Sequence, residues 1–153
     1  MRLTSKGRYA VMAMADLAGN GGAERAVPLQ DIAERQDLSL SYLEQLFARL
    51  RKAGLVSGVR GPGGGYRLAR PAASIRTAEI IGAVDEAITV TRCNPKARLG
   101  CTGKTERCIA HDLWDELGAQ IAGFLSQISL QDIVDRRIRP QDRSTGGPDS
   151  AAA

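Results

Sequence analysis

Apolar residues recur at helical spacing along most of this chain, and the breaks between runs fall at glycine and proline. Thr4 or Ser5 can cap a first helix that runs to Asn20, where Gly21 and Gly22 stop it. Tyr9, Ala10, Ala13, Met14 and Leu17 share one face of that helix and are its expected core residues. A short helix follows Pro28, from about Leu29 to Gln36, with Leu29, Ile32 and Ala33 inward. After a turn at Asp37 and Leu38, Ser39 begins a longer helix that continues to Ala53 and ends at Gly54. Ser41 with Glu44 also fits a capping box, so either serine can start it. Leu40, Leu43, Phe47 and Leu50 form the expected buried stripe of this helix.

The pattern then changes period. Leu55, Val56, Ser57 and Val59 suit a strand, Gly61-Pro62-Gly63-Gly64-Gly65 a turn, and Tyr66-Arg67-Leu68 a returning strand. Helix, short helix, longer helix and hairpin is the order of a winged helix-turn-helix, so the expected fold is mainly α with a small β-hairpin wing. Thr77 can cap a further helix from Ala78 to about Ala87, with Ile80, Ile81 and Val84 inward. The longest helix is expected from about Cys108 to Ile128, with Leu113, Leu117, Ile121, Phe124 and Ile128 as one apolar seam. A small domain cannot easily cover so long a stripe, which predicts self-association along it, with packing back onto the N-terminal domain as the alternative. Ser129 can cap a final short helix. These elements divide the chain into a winged helix-turn-helix at 1–75, a linking helix at 76–92, a cysteine-bearing loop at 93–111, a C-terminal dimerisation helix region at 108–135 and a disordered tail at 136–153.

Polar residues on the longer helix fit nucleic acid. Ser39, Ser41, Tyr42 and Gln45 lie in its early turns, and Arg49 and Lys52 come later. Short polar groups near the start of such a helix can read base edges, and cations further along can hold phosphates. Arg2, Lys6 and Arg8 would suit phosphate oxygens at the first helix, and Arg60 on the hairpin could reach a groove. Charge agrees: residues 1–75 hold eleven Lys and Arg against six Asp and Glu, whereas the remainder holds ten against eleven. The glycine run is not a nucleotide-binding loop, because the Lys-Ser/Thr of that motif is missing and a strand follows in place of a helix.

Composition bounds the remaining possibilities. At 153 residues and 43% hydrophobic the chain can bury a real core. It has no run approaching a membrane span, and Met1-Arg2-Leu3-Thr4 lacks the apolar core of a signal peptide. A cytoplasmic location is therefore expected, where thiols stay reduced and an odd cysteine count points to ligation or redox sensing.

All three cysteines and the single histidine fall in one short stretch, as Cys93, Cys101, Cys108 and His111. Three thiolates and one imidazole can fill four coordination positions around a metal or cluster. If a helix begins near Cys108, then Cys108 and His111 share a face. No CxxC is present, so the spacing matches no standard zinc pattern. A tetrahedral zinc site, a metal-free thiol switch and a thiol enzyme with His111 as base to Cys108 are the competing readings. The last lacks a recognisable third group or oxyanion site.

Three stretches carry a resemblance: Met1-Arg2-Leu3-Thr4-Ser5-Lys6-Gly7-Arg8-Tyr9-Ala10, Leu38-Ser39-Leu40-Ser41-Tyr42-Leu43-Glu44-Gln45-Leu46-Phe47 and Val59-Arg60-Gly61-Pro62-Gly63-Gly64-Gly65-Tyr66. With the cysteines and their histidine, they make the chain similar to the IscR-like iron–sulfur regulators, part of a large family of bacterial winged-helix transcription factors. The resemblance implies a 2Fe–2S cluster on the positions matching the family's ligands, Cys93, Cys101, Cys108 and His111. It further implies DNA contacts from Ser41, Glu44, Gln45 and Arg60. The implied partners are imperfect palindromes of double-stranded DNA, a second copy of the chain, and the cluster-assembly machinery as cluster donor. Cluster-assembly genes would be repressed when the cluster is present, and some promoters bound with or without it.

Overall fold

The computed structural model describes residues 5–84 and 107–138. Helix α1 spans Ser5–Gly19, α2 Leu29–Gln36 and α3 Leu40–Lys52. The strands β1, Val56–Val59, and β2, Gly65–Leu68, form an antiparallel hairpin in which Val56 faces Leu68 and Val59 faces Gly65. Helices α4 (Thr77–Ala83), α5 (His111–Gln127) and α6 (Leu130–Val134) follow, with one 3-10 turn at Ala72–Ser74 before α4. This is the mainly helical winged helix-turn-helix that the sequence pattern predicts.

One core joins these elements. Ala10, Ala13, Met14 and Leu17 of α1 meet Ile32 and Ala33 of α2, Leu43, Leu46, Phe47 and Leu50 of α3, and Val56 and Leu68 of the hairpin. Ile75, Ile80 and Val84 continue the same core, and Leu130 of α6 completes it from near the chain's other end. Tyr9 lies at its margin, half-buried, where its ring meets that of Tyr42 edge-on with centroids 6.0 Å apart. Phe47 and Tyr66, 5.0 Å apart, join α3 to β2.

Three expectations need correction. Leu40 is not in the buried stripe of α3; it is 37% exposed, and Leu46, at 2%, takes the inward place. Thr77 does not cap the helix at Ala78. It is the first helical residue and buried, while Glu79 reaches back to the Arg76 backbone N–H at 2.8 Å, as in a capping box. Residues 85–87, expected in this helix, lie outside the described set. The long helix begins at His111, so Cys108 stands in the turn before it.

Among the described residues, no helix is long and apolar enough to cross a membrane.

Candidate DNA-reading face and cysteine–histidine segment

Helix α3 is set in place by contacts at both ends. Asp37 ends α2 in a left-handed conformation, φ 52° and ψ 50°, and the Leu38 N–H returns to the Ala33 carbonyl at 3.0 Å. Of the two candidate serines, Ser39 is the cap: its hydroxyl accepts from the Tyr42 N–H at a long 3.5 Å and lies 3.0 Å from the Ser41 hydroxyl. Ser39 thus spends part of its hydrogen-bonding capacity on the helix. Ser41, Glu44 and Gln45 are exposed on the early turns, and Tyr42 is half-buried against Tyr9. This places three polar side chains in water, on the end of the helix suited to base edges.

Two later cations behave differently. Lys52 is exposed, whereas Arg49 is half-buried and donates to the Val84 carbonyl at 3.4 Å. Together with Ala53 and Ala83 they line an open recess of about 420 Å³ between the ends of α3 and α4. Lys6 is exposed at the start of α1, and Arg2 lies outside the described residues.

The hairpin is held at its base and open at its tip. Val27 and Tyr66 exchange backbone hydrogen bonds of 2.8 and 2.9 Å, an isolated antiparallel bridge that ties the chain before α2 to β2. Gly65, at φ +147°, permits this approach, since a Cβ there would overlap the Val27 carbonyl. At the tip, Gly61 and Gly63 take φ of +92° and +71°, and the Gly64 N–H closes on the Gly61 carbonyl at 2.9 Å. Arg60 is exposed beside this turn, while Arg67 donates across the hairpin to the Ser57 hydroxyl at 3.3 Å.

Of the four expected ligands, the structure describes two, and it brings them into one turn. The His111 N–H donates to the Cys108 carbonyl at 2.9 Å, with Cys108 half-buried and His111 only 8% exposed at the head of α5. Cys93 and Cys101 lie outside the described residues, and among those described no three His, Cys, Asp or Glu gather as a metal site. The other end of α5 is anchored. The Ile128 carbonyl accepts from both the Thr77 N–H at 2.9 Å and the Thr77 hydroxyl at 3.0 Å, Arg76 donates to the Gln127 carbonyl at 3.2 Å, and the Leu130 N–H meets the Ile75 carbonyl at 2.8 Å. Ser129 and Asp132 cap α6 reciprocally, the Ser129 N–H on Asp132 at 2.9 Å and the Asp132 N–H on the Ser129 hydroxyl at 3.1 Å. The Ser129 hydroxyl, and after it the Ser129 N–H, hold the Asp132 carboxyl below its usual range.

Between its ends, α5 carries large apolar side chains into water. Leu113 is 63% exposed, Trp114 43%, Leu117 36% and Phe124 47%, with Ile121 and Ile128 half-buried. Trp114 was not part of the predicted seam, although it sits one residue after Leu113 and three before Leu117.

Comparison with known proteins agrees with this architecture. Residues 3–136 match the Rrf2 family model, described as an iron-dependent transcriptional regulator. The HTH-type transcriptional regulator IscR of Photorhabdus laumondii is 59% identical over 137 residues, covering 90% of this chain and 81% of that protein. Among solved structures, T. potens IscR matches with a TM-score of 0.70 and 36% identity, over 92% of this chain and 93% of that one. CymR, the global cysteine regulator of B. subtilis, gives a TM-score of 0.74 and 29% identity, over 89% and 98%. A family match across nearly the whole chain, on a helix-turn-helix with a paired wing, makes this protein a member of the Rrf2 family of DNA-binding transcriptional regulators, which are not enzymes.

Proposed function

We propose that this chain senses iron–sulfur cluster status through a 2Fe–2S cluster on Cys93, Cys101, Cys108 and His111, represses cluster-assembly genes and regulates other promoters. The observation that carries this reading is the pairing of Cys108 with His111 in one turn at the head of α5. Two residues of the required ligand types thereby lie within one turn of backbone, and the full set of three thiolates and one imidazole suits such a cluster. When bound, the cluster supplies ligand bonds whose presence depends on cluster supply and oxidative loss.

The chain's own residues connect that event to DNA. Cys108 and His111 fix one end of the 93–111 segment to α5. Thr77 and Arg76 hold the far end of α5 to the start of α4, and Arg49 ties the end of α4 to α3. On this reading residues 1–75 read DNA, with Lys6, Ser39, Ser41, Tyr42, Glu44, Gln45, Arg49, Lys52 and Arg60 among the contacts, and 76–92 link to the ligand segment. Residues 108–135 pair two copies: the exposed Leu113, Trp114, Leu117 and Phe124 would otherwise leave a long apolar strip in water. A twofold dimer in turn suits imperfect palindromes of DNA. The cluster-assembly machinery is the donor, and the cytoplasm the compartment in which the thiols stay reduced.

An ultraviolet–visible spectrum of protein purified without oxygen, with iron, sulfide and zinc assayed on the same sample, tests the reading. Visible bands with equal iron and sulfide are expected. A colourless protein containing zinc would replace the cluster with a tetrahedral Cys₃His zinc site and leave the DNA-binding regulator intact. Sedimentation of the same sample reports whether the chain is a dimer.

A further inference from the structure

We propose that Leu40 is a sequence-reading residue that contacts the methyl group of a thymine in the bound DNA; this rests on α3 being the helix that enters the major groove. Helical spacing assigns Leu40 to the core, yet the structure leaves it 37% exposed. It is the first residue of α3 and is absent from the core and from the half-buried side chains packed on it, and Cα–Cβ bonds in a helix tilt toward the N-terminal end. Its neighbours in sequence are the capping Ser39 and the exposed Ser41, and one turn on, on the same face, is the exposed Glu44.

An aliphatic side chain at that place discriminates by what it cannot do. Of the four bases, only thymine shows an apolar group in the major groove, whereas the others present donors and acceptors that Leu40 would strip of water without replacing. Glu44 sets the register. A carboxylate there accepts best from the cytosine amino group, since adenine's amino group stands beside the repelling N7 acceptor, and four residues of helix advance about 6 Å, roughly two base-pair steps. Leu40 should therefore read a thymine within about two base pairs of the cytosine that Glu44 reads.

The test uses the full-length protein on duplexes that it selects from a random pool. Each thymine is replaced singly by deoxyuridine, which removes only the methyl, and affinities are measured for the wild type, Leu40→Ala and Leu40→Gln. The expected result is one position near an essential cytosine where deoxyuridine weakens the wild type roughly fourfold, the equivalent of one methyl-sized group kept from water. Both variants should be indifferent to the change there and match the wild type elsewhere. The same deoxyuridine profile for all three proteins, or no sensitive position in the wild type, overturns the role of Leu40. Glu44→Ala and Gln45→Ala, run on the same pool, separate the two ideas: if neither alters affinity or selected sequence, α3 is not the reading helix and both readings fall.

Discussion

The carboxylate of Asp16, inside the α1 face, receives both Nε and an Nη of Arg35 from the end of α2, with the shorter bond 2.6 Å long. Gln36 adds a third donor at 2.8 Å. Only 3% of the Asp16 side chain meets solvent, against 37% of Arg35. Hydrogen bonding to Asp16 holds the Arg35 guanidinium still further above its ordinary value. The pair fixes α2, and through the Asp37 turn it sets where α3 begins.

Removing Arg35 would leave a buried carboxylate with one amide donor, and breaking a buried pair is strongly unfavourable. Arg35→Ala is expected to destabilise the fold by about 2–3 kcal/mol, somewhat below a fully buried pair because Arg35 is partly in water. Urea denaturation of Asp16→Ala, Arg35→Ala and the double variant gives the coupling, expected at about 2 kcal/mol. Additive effects would show that the two side chains stabilise the protein separately.

Much of the fold is written locally, and this pair shows what is not. Strong periodicity and Gly or Pro breaks place α1, α2, α3 and the hairpin, because each rests on residues within a few positions of one another. Asp16 and Arg35 are nineteen residues apart, and a single carboxylate in an apolar run carries no local sign of its partner. Periodicity also misplaces Leu40. The 43, 46, 47, 50 set satisfies the same helical spacing, and only the position of the cap decides which leucine covers the core. For the ligand segment, residue types named the four candidates, but the start of α5 depended on Ala110, whose φ of −96° and ψ of 8° keep Cys108 out of the helix.

The anchor of α5 should loosen in acid. Backbone and side-chain donors from Arg76 and then Arg70 hold the Glu79 carboxyl below its ordinary 4.5, and Ser129 holds Asp132 below its ordinary 3.8. Both groups are depressed on folding, so their stabilisation is complete above those values and is lost as pH falls through the lower folded ones. Thermal melts should therefore drop more steeply below about pH 4.5 in the wild type than in a Glu79→Gln/Asp132→Asn double variant. Parallel curves would remove these two caps from the acid response.

Wing geometry makes two glycines unequal. Gly61 needs a positive φ but has open space around it, whereas Gly65 needs both its φ and the absence of a Cβ against Val27. Gly61→Ala should cost about 1 kcal/mol from backbone conformation alone. Gly65→Ala should cost more, about 2–3 kcal/mol, and weaken the Val27–Tyr66 pairing. Denaturation with amide exchange at Val27 and Tyr66 reports both, and equal losses at the two sites would refute the close-approach argument.

Glu44 stands exposed where the proposed DNA face would meet phosphates and base edges. A carboxylate repels the first and among the second accepts best from a cytosine amino group, adenine's being flanked by the N7 acceptor, so its main effect is to reject sequences. Glu44→Ala should broaden the set of DNA sites bound, with weaker discrimination at a cytosine and little loss of overall affinity. Selection from a random pool by both proteins measures this, and an unchanged set of bound sequences would count against it.

His111 offers a way to separate cluster holding from assembly of the chain. Its imidazole is at the head of α5, whereas the exposed apolar side chains proposed for pairing begin at Leu113 and continue to Phe124. A cluster kept by three thiolates alone is less firmly held than one with its fourth ligand in place. His111→Ala should lose visible absorbance and iron faster than the wild type on exposure to a chelator, with the sedimentation coefficient of the dimer unchanged. Because His111 is only 8% exposed, the variant's melting temperature must be followed alongside. Equal chelator kinetics would remove His111 from the ligand set, and loss of the dimer would show that the head of α5 serves pairing as well as ligation.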